Sequence, residues 1–136
     1  MGAWSHEPFG NDTANDWAYE LEDAKDFSHV EAALDAVLDT KGYVKASKAS
    51  TAVAAVEVIA HLLGKGTQSD AYTEKVDAWV KRIRTKPSRA LLKKAQRALE
   101  RIRGEKSELK ERWHAGGDGA AEWEASLDAL YTVVSA

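Results

Sequence analysis

Residues 47–63, SKASTAVAAVEVIAHLL, decide the fold of this chain. The middle of the stretch is apolar almost all round, which is typical of a helix that is buried on every side. Its many alanines would let neighbouring helices approach closely, and Gly64 is placed to end it. The stretch is too short to cross a bilayer and carries Glu57 and His61. We therefore expect a central Ala/Val-rich helix inside a bundle, and no contact with a membrane.

Helical periodicity continues on both sides of this stretch, and no segment shows the alternation of a strand. Asn11 or Asp12 can cap a first helix, whose apolar stripe includes Trp17. Ser28 with Glu31 predicts a capping box for a second helix. The sequence thus predicts an all-α fold, a compact bundle of six or seven helices in one domain that spans residues 1–136.

Composition excludes several classes of chemistry. The chain has 136 residues, 44% of them hydrophobic and 30% charged, which is ordinary for a globular domain. It has no cysteine, so a thiol nucleophile, a disulfide framework and a thiolate metal site are excluded. The N-terminus has neither the basic nor the apolar region of a secretion signal, and we expect a cytoplasmic protein.

Charge is segregated along the chain. Residues 1–40 contain ten acids and one base, a net charge of −9, whereas residues 81–110 contain twelve bases and three acids, a net charge of +9. Helical spacing places charges of one sign on one side of each helix. The acidic face consists of Asp12, Asp16, Glu20 and Asp23, and the basic face consists of Arg89, Lys93, Arg97 and Arg101.

Two interpretations of these faces stay open. Acidic and basic helices can lie near each other on the folded surface or simply face water, where ion pairs contribute only about 0–1 kcal/mol. Alternatively, one face meets a partner of opposite charge, because segregated charge steers encounter. The acidic face suits a basic protein, and the basic face suits nucleic acid or an acidic protein.

Two groups of residues could carry chemistry. The carboxylates of Asp12, Asp16 and Glu20 could hold a divalent cation, although acids in a first turn also complement the helix dipole. Glu57 and His61 lie one turn apart on the most apolar helix. A buried Glu57 is expected either to form an internal tie to a backbone N–H, an indole or His61, or to act as a general base. The sequence identifies no catalytic residue and predicts no cofactor and no dedicated metal site.

The N-terminus carries a resemblance to a known family. Its residues are Met1-Gly2-Ala3-Trp4, Phe9, Asn11-Asp12, Ala14 and Asp16-Trp17. They resemble the start of a bacterial family of uncharacterised small proteins, domain of unknown function 4259, whose members begin Met-Gly-Ala-Trp-Gly and continue through Phe-Glu-Asn-Asp. This chain has Ser5 in place of the usual Gly and Gly10 in place of the usual Glu. Residues 54–60 and 107–113 are also similar, so the likeness covers most of the chain.

The resemblance implies a structural motif but no activity. Trp4 and Phe9, beside the Asn11 cap and Trp17, are expected to pack against the Ala-rich helix. Glu57 would then receive hydrogen-bond donors from this N-terminal segment.

A non-catalytic protein-binding module is the leading hypothesis for function, in the manner of an immunity or antitoxin-like protein that neutralises a toxin. The alternatives are a small metal-dependent hydrolase and a nucleic-acid-binding protein that uses the basic helix. The sequence does not indicate an oligomeric state.

Overall fold

Seven α-helices and one short 3-10 helix make up most of the computed structural model, which describes residues 5–116 and 119–136. Within these residues the only β-type pairing is a single bridge between Val44 and Ser107. The prediction of an all-α bundle of six or seven helices is confirmed. The helices are α1 (Asp12–Leu21), α2 (Ser28–Leu38), α3 (Ala46–Leu62), α4 (Glu74–Ile83), α5 (Arg89–Arg103), α6 (Glu108–Ala115) and α7 (Ala120–Ser135), and the 3-10 helix is Ala71–Thr73.

The α3 helix is the centre of the bundle, as its composition predicts. Every residue from 52 to 60 is buried, and all six of the other described α-helices contact α3. Alanines on several sides of α3 remove bulk, so that the neighbouring helices can approach its backbone closely. Full burial of a side chain such as Ile59 contributes about 1.5–3 kcal/mol to folding, so this helix is a main source of stability.

Side-chain caps fix where several helices begin. Asn11 caps α1 by accepting a hydrogen bond from the backbone N–H of Ala14 at 2.8 Å, as the sequence predicts. The predicted Ser28–Glu31 capping box of α2 is wrong. Ser28 is already the first residue of the helix, and both its backbone N–H and its hydroxyl donate to Asp26 instead. Asp26, two residues upstream, therefore accepts from a free backbone N–H at the start of the helix, which is the capping role that Ser28 was expected to play.

The two helices with the charged faces occupy different places in the bundle. The α1 helix packs against α3 and α4, whereas α5 packs against α2, α7 and α3. Each buries one apolar side, which for α1 is Ala14, Trp17, Ala18 and Leu21. The opposite sides therefore face outward at separate locations. None of the helices in the described ranges is both long and apolar enough to cross a membrane.

Candidate functional site

Glu57 is the most unusual residue of the core, because it is a carboxylate with no exposed surface on the central helix. Its Oε2 accepts hydrogen bonds from His61 Nε2 at 2.8 Å, from the Thr67 backbone N–H at 2.8 Å and from the Gln68 backbone N–H at 2.9 Å. Its Oε1 accepts a hydrogen bond from the Thr67 hydroxyl at 2.5 Å. These four donors replace the water that burial removes, which a buried charge requires.

His61 lies between two carboxylates. Its Nε2 faces Glu57 and also the Gln68 carbonyl at 2.9 Å, and its Nδ1 is 2.9 Å from Asp77 Oδ1 on α4. Carboxylate and carbonyl oxygens accept hydrogen bonds, so this arrangement is satisfied when both ring nitrogens carry protons. Burial alone would lower the pKa of His61. The hydrogen bond to Glu57 and the negative charges of Glu57 and Asp77 outweigh burial, and the pKa is raised.

The loop that follows α3 folds back over this pair. At Gly66 an added Cβ would lie only 2.5 Å from His61 Nε2, so a residue without a side chain is needed where the loop covers the imidazole. Thr67 and Gln68 then turn their N–H groups towards Glu57. The carboxylate therefore acts as the anchor of the loop.

Gln68 extends the cluster to the N-terminal segment. Its Oε1 accepts a hydrogen bond from the Phe9 backbone N–H at 2.8 Å, and the Phe9 side chain is fully buried. Phe9 thus lies in the core as expected. In the described residues the donors to Glu57 come from His61 and the loop, and the N-terminal segment is connected only indirectly through Gln68. Trp4 lies outside the described residues.

The geometry of the cluster suits a structural tie better than a general base. Both ring nitrogens of His61 already contact oxygens, and its side chain is only 10% exposed. A nearby cleft of about 300 Å³ does not include Glu57 or His61, and only Thr67 belongs to both the cleft and the cluster. The cleft is lined by His6, Glu7, Pro8, Thr67, Glu122, Ala125, Ser126 and Ala129.

The acidic face is exposed on α1 and in the turn that follows. Asp12, Asp16, Glu20 and Asp23 are all exposed. The one ionic neighbour found for them in the described part of the chain is His29, whose Nε2 is 3.8 Å from Glu20 Oε1. Within the described residues, no three His, Asp or Glu side chains come close enough together to hold a metal ion.

Tyr19 lies beside this acidic face, a position that charge patterning alone did not reveal. It follows Asp16 by three residues, so helical spacing puts both on one side of α1, and Asp23 comes two residues after the helix ends. The Tyr19 side chain is 61% exposed, and the ammonium of Lys75 on α4 lies 4.2 Å from the centre of its ring. An exposed aromatic residue next to a row of exposed acids distinguishes this face from an ordinary solvated one.

The basic face divides into free and engaged residues. Arg89, Lys93 and Arg97 are exposed, and the described residues supply them with no ion-pair partner. Arg101 is instead half-buried and donates to the carbonyls of Gly42 and Glu105. This guanidinium therefore ties two loops together.

Among the described residues, Lys94 is the one cation of α5 that forms ion pairs with the acids of residues 1–40. Lys94 pairs with Glu31 at 2.6 Å and with Asp35 at 2.9 Å, both on α2, and these hydrogen bonds raise the pKa of Lys94. The acids of α1 take no part. Within the described ranges, internal pairing thus engages Glu31 and Asp35 of α2, whereas Asp12, Asp16 and Asp23 of the acidic face and Arg89, Lys93 and Arg97 of the basic face have no ion-pair partner.

The fold and the cluster together define a small all-helical domain whose loop and N-terminal segment are fastened to a buried carboxylate–histidine pair. The family model described as Domain of unknown function (DUF4259) matches residues 2–126, and the chain belongs to this family. Comparison with curated proteins and with solved structures finds no match for the chain.

Proposed function

We propose that this protein is a non-catalytic protein-binding module, and that its binding surface is the acidic face of α1 together with Tyr19 beside it. This surface suits a basic protein as its partner. The role that we favour is that of an immunity or antitoxin-like protein, which binds and covers a basic toxin. The observation that carries the proposal is that Tyr19 is exposed on the same helix as Asp12 and Asp16, with Asp23 just after the helix, and that these three acids have no cationic partner in the described residues.

Two physical arguments support this choice. Tyrosine is enriched in the centres of protein interfaces, because its ring buries much apolar area while its hydroxyl stays hydrogen-bonded. A row of like charges steers an oppositely charged partner towards this surface and raises the association rate. The row costs the isolated helix a few tenths of a kcal/mol per pair of like charges, which a basic partner would offset.

The buried cluster supports a non-catalytic role. A general base needs a lone pair that can reach a substrate, and both ring nitrogens of His61 are directed at protein oxygens. We therefore assign Glu57 and His61 to holding the scaffold, and we keep the metal-dependent hydrolase only as the weaker alternative. The cytoplasm is the compartment that we propose for this function.

Charge-reversal variants test the proposal. The probe is a fluorescent peptide of alternating arginine and glycine, titrated with wild-type protein, with Asp16→Lys and with Asp39→Lys. Asp39 is an exposed acid at the end of α2, which packs on α3 and α5, so both variants change the net charge equally. We expect Asp16→Lys to weaken binding about ten-fold, since reversing one contact changes the interaction by roughly 1–2 kcal/mol. Asp39→Lys should weaken binding less than about two-fold, because exposed charges beyond about 10 Å are screened.

Two outcomes would contradict the proposal. If both variants lost the same affinity for the peptide, only net charge would matter. If the wild-type protein did not bind the peptide at low salt, the acidic face would not be a binding surface for basic proteins. Nucleic-acid binding is the second candidate, supported by the exposed Arg89, Lys93 and Arg97, for which the described part of the chain provides no ion-pair partner. It predicts duplex DNA affinity that falls steeply with salt and is lost in Lys93→Glu.

A further inference from the structure

The ring of Tyr19 already has a cation on its face, which shows that the ring is accessible to cationic groups. The ammonium of Lys75 reaches over the ring from α4 to 4.2 Å from its centre. This distance is well inside the range of about 6 Å in which a cation is attracted to the face of an aromatic ring. Because Tyr19 remains 61% exposed, much of the ring is still open to a second group.

Exposed carboxylates precede and follow Tyr19 along the chain. Asp16 lies one turn before Tyr19 on α1, and Asp23 lies one turn after it, in the segment that follows the helix. A group that stacks on the ring and also pairs with a carboxylate beside it must be both planar and cationic. Guanidinium meets both requirements, since it stacks on aromatic faces and donates two parallel hydrogen bonds to a carboxylate. An ammonium is compact and strongly hydrated, so it makes such a contact less well.

We propose that the acidic face of α1 selects arginine over lysine, by stacking a partner's guanidinium on Tyr19 while Asp16 or Asp23 accepts its hydrogen bonds. This inference rests on the proposed function and adds to it the identity of the side chain that is recognised. The partner is accordingly a protein that presents an arginine-rich segment, and lysine of equal charge binds the same face more weakly.

Two peptides of equal length and charge test this selectivity, one of alternating arginine and glycine and one of alternating lysine and glycine. For the wild-type protein we expect the arginine peptide to bind about two- to five-fold more tightly, which corresponds to a cation–π contact at an exposed site. Tyr19→Leu should bring the ratio of the two dissociation constants close to one. Tyr19→Phe keeps the ring and should keep the ratio. Circular dichroism of each variant checks that the helices are retained.

The results separate this inference from the proposed function. Equal affinity of the two peptides for the wild-type protein, or a preference for arginine that persists in Tyr19→Leu, would overturn the selectivity. The acidic face would still stand as a binding surface if Asp16→Lys weakened the binding of both peptides more than Asp39→Lys does. If Asp16→Lys and Asp39→Lys had the same effect on both peptides, the proposed function and the selectivity would fail together.

Discussion

The imidazole of His61 donates from Nε2 to the carboxylate of Glu57, one turn earlier on α3, at 2.8 Å. Glu57 has no exposed surface, and the pair holds in place the loop that begins at Gly64. Because Gln68 in that loop binds the N-terminal segment at Phe9, three parts of the chain depend on one carboxylate. Each part can be tested separately.

The buried carboxylate of Glu57 should contribute strongly to stability. Glu57→Gln should lower the free energy of unfolding by about 3–5 kcal/mol, since it leaves His61 without its buried partner and turns an amide towards N–H donors. Urea denaturation of the two proteins measures the difference. Glu105→Gln, an exposed site, is the matched control and should change stability by less than about 0.5 kcal/mol. Equal stability of Glu57→Gln and wild type would show that the carboxylate does not anchor the loop.

The raised pKa of His61 makes its contribution to stability depend on pH. Folding strengthens proton binding at this ring, so the stabilisation is fully present below about pH 6.5, the pKa of an unfolded histidine, and is lost as pH rises through the raised pKa. The stability difference between wild type and His61→Asn should therefore shrink from about pH 6 to about pH 9. Urea denaturation of both proteins across this range measures the difference. A difference that grows with pH would have the wrong sign.

Gly66 gives a steric prediction. Gly66→Ala would place a methyl group 2.5 Å from His61 Nε2, so either the loop or the ring must move. We expect a loss of about 1–3 kcal/mol, as for other overpacked sites. Gly42→Ala is the control, because a Cβ at Gly42 meets no atom within 4 Å. Thermal unfolding of both variants compares them, and similar melting temperatures would argue against close coverage of His61 by the loop.

The hydrogen bond between Gln68 and Phe9 should protect the Phe9 amide from exchange with solvent. Gln68→Ala removes the acceptor for the Phe9 N–H, so the Phe9 amide should exchange with solvent faster than in the wild type. Gln96→Ala, which removes a bond to the Val134 carbonyl on another side of the bundle, should leave Phe9 unchanged. Hydrogen exchange followed by NMR resolves the two cases. Unchanged protection of Phe9 in Gln68→Ala would mean that the burial of its side chain alone fixes the segment.

The sequence predicts the helices well because their evidence is local. The apolar stripe of α1 and the nearly continuous apolar run of α3 repeat within a few residues, and both elements lie where these patterns place them. The start of α2 shows the limit, since Asp26 competes with Ser28 for the same end of the helix and the pattern alone did not decide between them.

The candidate site was less accessible from sequence. A Glu on an apolar helix indicates that donors must exist, but it does not say that Thr67 and Gln68 supply them or that Asp77 faces His61. Those contacts join residues from different elements, and no spacing rule relates them. The position of Tyr19 between Asp16 and Asp23 can be read from the sequence. Its exposure and its contact with Lys75 are visible only in the folded chain.

If the acidic face of α1 binds a basic partner, its backbone amides should respond to that partner. We would test this by NMR titration of the isotope-labelled protein with the arginine–glycine peptide, following every backbone amide. We expect shift changes to concentrate between Asp12 and Asp23 and around Lys75, and to be small on α5 and α7. Changes spread evenly over all exposed acids, or centred on a helix other than α1, would contradict this prediction.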